Sequence, residues 1–223
     1  MKKYLLALFL LLAGLNLYAG EITLSLGFEA PLFTFFTGHS LTIWYNVSDL
    51  ITIDYTKIFS SLGFNIKGKF VNDSGIGGMF KAYLFYPYYM NSRITTSDSL
   101  YSVDTSETKY TTFEPAFIIG VGGAAVYRFY PSDKFNISID VGGELEIDFI
   151  GVYLYNFLLT GIGAFADIAF EFYFNKNWFL DVGMNTNLLI GLGAYGHQHN
   201  DLIVTTVEAG AYVSPSISIG YKF

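Results

Sequence analysis

The chain has no cysteine, 5 prolines among 223 residues, and only 14% charged residues. Without cysteine there is no disulfide framework and no lipid-bearing thiol, so stability must come from packing and backbone pairing. Long apolar runs are also missing. A helical membrane span needs about 20 consecutive apolar residues, and only Met1 to Gly20 comes near that length. Basic residues are scarce, 12 Lys and Arg against 19 Asp and Glu. That acidic balance excludes a basic nucleic-acid-binding surface, so no nucleic acid is expected as a partner.

The N-terminal run "MKKYLLALFLLLAGLNLYAG" has a positive start at Lys2 and Lys3 and an apolar stretch from Tyr4 to Leu15. A small-residue junction follows at Ala19. It reads as a secretory signal peptide over residues 1–19, because the apolar stretch is short for a span. The mature segment is then 20–223, a single domain with 10 basic and 19 acidic residues.

What the chain has in plenty is apolar and aromatic residues, 52% and 19%. They follow period two rather than the helical period. From Phe135 to Phe149 the odd positions are apolar or small, while Asp140, Glu144, Glu146 and Asp148 sit on the even ones. Strands with this pattern have one apolar face and one polar face. The same alternation holds from Ile22 to Ala30, Leu62 to Phe70, Phe80 to Tyr88 and Phe117 to Phe129. It returns from Ile162 to Phe172, Trp178 to Met184 and Val207 to Phe223. No Asp, Glu, Lys or Arg of these eight segments falls on the apolar parity.

Connections alternate in length. Short polar turns stand at residues 72–75, 131–134 and 175–177, whereas Phe36 to Ser60, Asn91 to Thr112 and Gly196 to Thr206 read as long loops. A soluble β-sandwich also alternates, but here the polar parity is rich in glycines such as Gly120, Gly122, Gly161 and Gly163. Small residues suit the interior of a narrow barrel. Aromatics gather at both strand ends: Tyr127, Phe129, Tyr130, Phe172, Tyr173, Phe174, Trp178, Tyr221 and Phe223 beside the short turns, and Tyr86, Tyr88, Tyr89, Phe113, Phe149, Tyr153 and Tyr155 beside the long loops. Two such girdles around an apolar band mark a membrane-spanning barrel. The expected fold is therefore all-β, a single closed antiparallel up-and-down transmembrane barrel of eight strands. Residues 41–55 leave ten strands as the alternative.

With a leader, eight amphipathic strands and a last strand ending "SISIGYKF", the whole chain resembles the small outer-membrane barrels of diderm bacteria, of the OmpA, OmpX and OmpW kind. That resemblance implies the bacterial outer membrane as location, its lipids and the barrel-assembly machinery as partners, and a monomeric state. It also implies an assembly signal at Ile217, Ile219, Tyr221 and Phe223.

The lumen-facing parity holds the acids Glu21, Glu29, Glu114, Asp140, Glu144, Glu146, Asp148, Asp167, Glu171, Asp181 and Glu208. Its bases are Lys67, Lys69, Lys81, Arg128 and Lys222. Bases lie mainly on early strands and acids on late ones, so ion pairs across the lumen are expected, filling it. The excess of acids leaves a narrow, cation-preferring or small-solute channel as the alternative. An enzyme is not expected. The segment "GHQHN" is similar to the His-x-Ser segment of lipid A deacylases, but residue 199 is His, and no nucleophile is placed. No catalytic, cofactor or metal site is assigned; His39, His197 and His199 all fall in the long loops. The Ser- and Thr-rich stretch 91–112 suits an exposed surface open to a host or other extracellular ligand.

Overall fold

The computed structural model describes residues 20–44, 50–98, 106–110, 117–152, 155–196 and 202–223, with side chains described at 20–32, 34–35, 60–88, 117–149, 160–193, 207 and 209–223. The expected signal peptide lies outside the described residues, as do Glu114, His197 and His199.

Ten strands follow one another: β1 (Glu21–Glu29), β2 (Leu32–Trp44), β3 (Leu50–Val71), β4 (Ile76–Asp98), β5 (Ser106–Tyr110), β6 (Phe117–Ser132), β7 (Phe135–Val152), β8 (Tyr155–Tyr173), β9 (Trp178–Gly196) and β10 (Leu202–Lys222). They form eight walls, not ten. Strands β1 and β2 are successive pieces of one wall, because both pair with β3 on one side and β10 on the other. Strands β5 and β6 likewise both pair with β4. All pairing is antiparallel, and β1 against β10 closes the barrel from Thr23↔Lys222 to Glu29↔Ser216. Closure pairs the first wall with the last, where an open edge in lipid would leave backbone groups unpaired.

The break between β1 and β2 has a local cause. Pro31 has no N–H to give to a ladder, and an extra residue enters the wall there: Glu29 faces Gly63, but Thr34 faces Phe59. The backbone stays tied, since Ala30 N donates to the Pro215 carbonyl at 3.0 Å and Ser61 N donates to the Pro31 carbonyl at 2.9 Å. A second bulge sits beside it on β4, where Ser60 faces Tyr89 and Ser61 faces Pro87. The reading of 36–60 as a long loop is thus corrected. β3 runs unbroken from Leu50, and the irregularity lies in its neighbours. Much of 91–112 and 196–206 is also strand, since β4, β5 and β10 extend into them.

Three tight turns share the end that carries Phe223. Asn72 Oδ1 accepts from Ser74 N and Ile76 N, both at 3.0 Å, while Gly75 takes φ 83°, open to glycine at no steric cost. Asn175 Oδ1 accepts from Asn177 N and Trp178 N, each at 2.9 Å. Strands β6 and β7 join through Asp133 and Lys134.

The apolar parity points outward all around. Leu26, Val121, Val141, Ile162 and Ile190 are each more than half exposed. Soluble monomers rarely expose contiguous apolar patches beyond a few hundred Å², so this surface is a lipid-facing wall. Tyr127, Phe129, Tyr130, Phe172, Phe174, Trp178 and Phe223 ring the short-turn end, all exposed. Tyr173 departs from the expected girdle. Its hydroxyl turns to the lumen mouth, 3.4 Å from Glu21 and Glu171.

Candidate functional site: a tiered polar lumen

Inside, the polar parity builds tiers from the short-turn end upward. In the lowest, Lys222 Nζ stands 2.5 Å from Glu21 Oε2, and Arg128 bridges Glu21 and Glu171, the latter at 2.9 Å. Above it Lys69 reaches Asp140 at 3.0 Å and Glu171 at 3.4 Å, and donates to Ser138 Oγ at 3.0 Å. Lys67 crosses from β3 to Asp167 on β8 at 2.5 Å. Lys67 and Lys81 are direct cross-strand neighbours. Their like charges separate because Lys81 turns to Glu144 on β7, at 2.6 Å, with its ammonium 3.7 Å above the centre of the Phe165 ring. Cations from β3, β4 and β6 thus meet carboxylates from β7 and β8, with Lys222 and Glu21 completing the mouth.

Two carboxylates in the upper tiers are held by neutral donors. Glu29 accepts from Asn65 at 2.9 Å and Asn185 at 3.2 Å. Glu146 accepts from the Tyr83 hydroxyl at 2.6 Å and from Tyr212 at 3.4 Å, and Asn187 links Glu144, at 2.5 Å, to Tyr212. Lys67, Lys69, Lys81, Arg128, Asp140, Glu144, Glu146, Asp167, Glu171 and Asp181 are all nearly inaccessible. Glu208 lies opposite Gly38 and Gly191, but its side chain is outside the described residues. His39 is placed opposite Asp54 and Val207 by backbone register alone.

The alternation missed the apolar part of the interior. Tyr83, Phe85, Ile118, Leu189 and Tyr212 form one buried cluster above the ion pairs, and Val71, Met79, Val126 and Phe165 form another beside them. The inward glycines are the signal that locates them. A Cβ on Gly120 would fall 2.0 Å from the Tyr83 ring, one on Gly163 2.5 Å from Leu189, and one on Gly220 2.1 Å from Phe179. Each glycine makes room for a large side chain crossing from an adjacent strand.

Of the C-terminal residues, Ile217 and Ile219 face outward, and Tyr221 stacks edge-on between Trp178 and Phe223 at 5.1 Å and 5.0 Å. Phe223 N donates to the Ile22 carbonyl at 3.0 Å. The final residue is thereby part of the closing seam.

No family model and no curated protein sequence matches this chain. Solved structures do resemble it. The outer membrane protein OprG from Pseudomonas aeruginosa is similar over 92% of this chain and 97% of its own, with TM-score 0.54 and 14% identity. Neisserial surface protein A covers 88% of this chain and 97% of its own, with TM-score 0.46 and 12% identity. Ail, the attachment invasion locus protein of Yersinia pestis, covers 92% and 99%, with TM-score 0.44 and 11% identity in its complex with the heparin analogue sucrose octasulfate. Closed antiparallel pairing, an apolar outer wall and the likeness to OprG together make this a barrel of the small outer-membrane type.

Proposed function

We propose that this protein is a sealed barrel of the bacterial outer membrane that serves a structural or surface-interaction role through its extracellular end. One observation carries the reading: ion pairs span the lumen from β3 and β6 to β8, beneath the apolar cluster of Tyr83, Phe85, Ile118, Leu189 and Tyr212. An eight-stranded barrel has room only for its own side chains or one small ligand, and here those side chains occupy it. The work is then left to the outer surface, where the long strands β3 and β4 continue well past the ~9–11 residues a spanning strand needs. Partners are outer-membrane lipids, the assembly machinery and an extracellular ligand. Replacing residues 99–105 with a Gly-Ser linker tests the surface role on cells. Loss of adhesion to a host-matrix or cell layer, with unchanged barrel assembly, supports it; unchanged adhesion contradicts it.

A narrow cation-preferring path is the second reading. The excess of buried carboxylates over buried cations favours it.

A further inference from the structure

Among the lower tiers, charge does not balance. Lys67, Lys69, Arg128 and Lys222 face Glu21, Asp140, Asp167, Glu171 and Asp181, and all four cations are engaged by carboxylates other than Asp181. Asp181 is 1% exposed, and neither of its oxygens receives a hydrogen bond from the described residues. Its strand neighbours are Glu171 on β8 and Ser218 on β10, and Lys67 and Lys69, the cations whose charge reaches it, make their close ion pairs with Asp167, Asp140 and Glu171 instead. A buried carboxylate with no cation in direct contact is costly to keep ionised.

Next to it the backbone leaves a cradle. Gly183 follows Asp181 on the inward face of β9, and a Cβ there would stand 2.8 Å from Ser216 Oγ, 3.2 Å from Asp167 Oδ1 and 3.4 Å from the Ile168 carbonyl. Ser216 Oγ and Asp167 Oδ1 have no hydrogen-bond partner among the described residues, and neither has the Asn185 carbonyl oxygen two positions further along β9. Oxygens from the strands on either side thus converge on the position that glycine leaves without a side chain, and Asp181 and Asn185 flank it two residues away on the same face of β9. The donor set is hard oxygen: two carboxylates, of which Asp167 is already paired with Lys67, beside a hydroxyl and an amide oxygen. Among the described residues, no group of three or more His, Asp or Glu is arranged to hold a metal ion. That set suits a singly charged alkali cation better than a divalent one, which favours several carboxylates.

We propose that the cradle over Gly183, bounded by Asp181, Asp167, Asn185 and Ser216, binds one alkali cation that neutralises Asp181 and completes the charge balance of the lower lumen. The ion is a resident structural element, and the site stands on these oxygens whether or not the barrel conducts. Water alone would satisfy the oxygens' hydrogen bonding but would bring no positive charge into contact with the carboxylate.

The test is thermal unfolding of the folded barrel in a neutral detergent, followed by gel mobility and tryptophan fluorescence, in NaCl or KCl against choline chloride at equal ionic strength. An alkali salt is expected to raise the midpoint by about 2–4 °C, the shift of roughly 1 kcal/mol for a chain of this size. Asp181→Asn is expected to abolish the difference and to raise the midpoint in choline. Gly183→Ala keeps the carboxylate but places a methyl in the cradle, and is expected to abolish the difference too. Identical midpoints for the wild type in alkali and choline salts overturn the site, whether water or a proton occupies Asp181 instead. Full alkali dependence in Gly183→Ala overturns its location. If Asp181→Asn does not fold, the wild type and Gly183→Ala decide the matter.

Discussion

Arg128 joins the lowest tier together. It is the shared partner of Glu21 and Glu171, which come from β1 and β8, so its removal leaves two walls with excess negative charge. Arg128→Met is expected to lower the stability of the refolded barrel by about 3–5 kcal/mol, as for other buried pairs broken on one side. Adding Glu171→Gln should return part of that loss, and urea unfolding of the single and double variants measures the coupling. The glycines make the complementary case. Gly120→Val forces the Tyr83 ring from the position in which its hydroxyl reaches Glu146 and is expected to cost about 1–3 kcal/mol by overpacking. Gly143→Ala, whose new carbon meets only the Gly163 carbonyl at 3.4 Å, is expected to be near neutral in the same unfolding series.

At the scale of the element, the seam between β1 and β10 decides whether the sheet is a barrel. Tyr221 and Phe223 belong to that seam and to the aromatic ring at the short-turn end, so stability and assembly both draw on them. Phe223→Ser separates the two. If the terminal ring is an assembly signal, the variant accumulates unfolded in cells while the purified chain refolds with an unfolding midpoint close to wild type. Equal losses in both measurements would reduce Phe223 to a packing residue. The individual strands were largely legible in the sequence, because one face meets lipid and no charge is tolerated there. Their ends were not. Pro31 looks like a terminator since it lacks a donor, yet the wall continues past it with one residue added, as Ser61 N bonds to its carbonyl. The alternation places the start of β3 near Leu62, whereas pairing to β2 and β4 carries it back to Leu50.

Over the whole molecule, two properties escaped period-two reading for a physical reason. Alternation says which face a residue occupies, but partners across a lumen depend on tilt and closure, which no single strand encodes. That Lys67 would meet Asp167 and Lys81 would meet Glu144 could not be taken from spacing. The inward apolar residues were hidden as well. Around Leu188, Leu189 and Ile190 both parities are apolar, so the buried Leu189 looks like one more lipid-facing neighbour. Glycine placement on the inward faces of β6, β8 and β10 holds the missing information, since each small residue marks where a large one crosses. In the proposed reading these ion pairs and rings fill the interior. Planar-bilayer recording of the purified barrel in KCl at neutral pH is the most direct test of a sealed lumen. The expected result is no stable unitary conductance in the wild type; well-defined single-channel steps that persist in neutral pH buffer would contradict it.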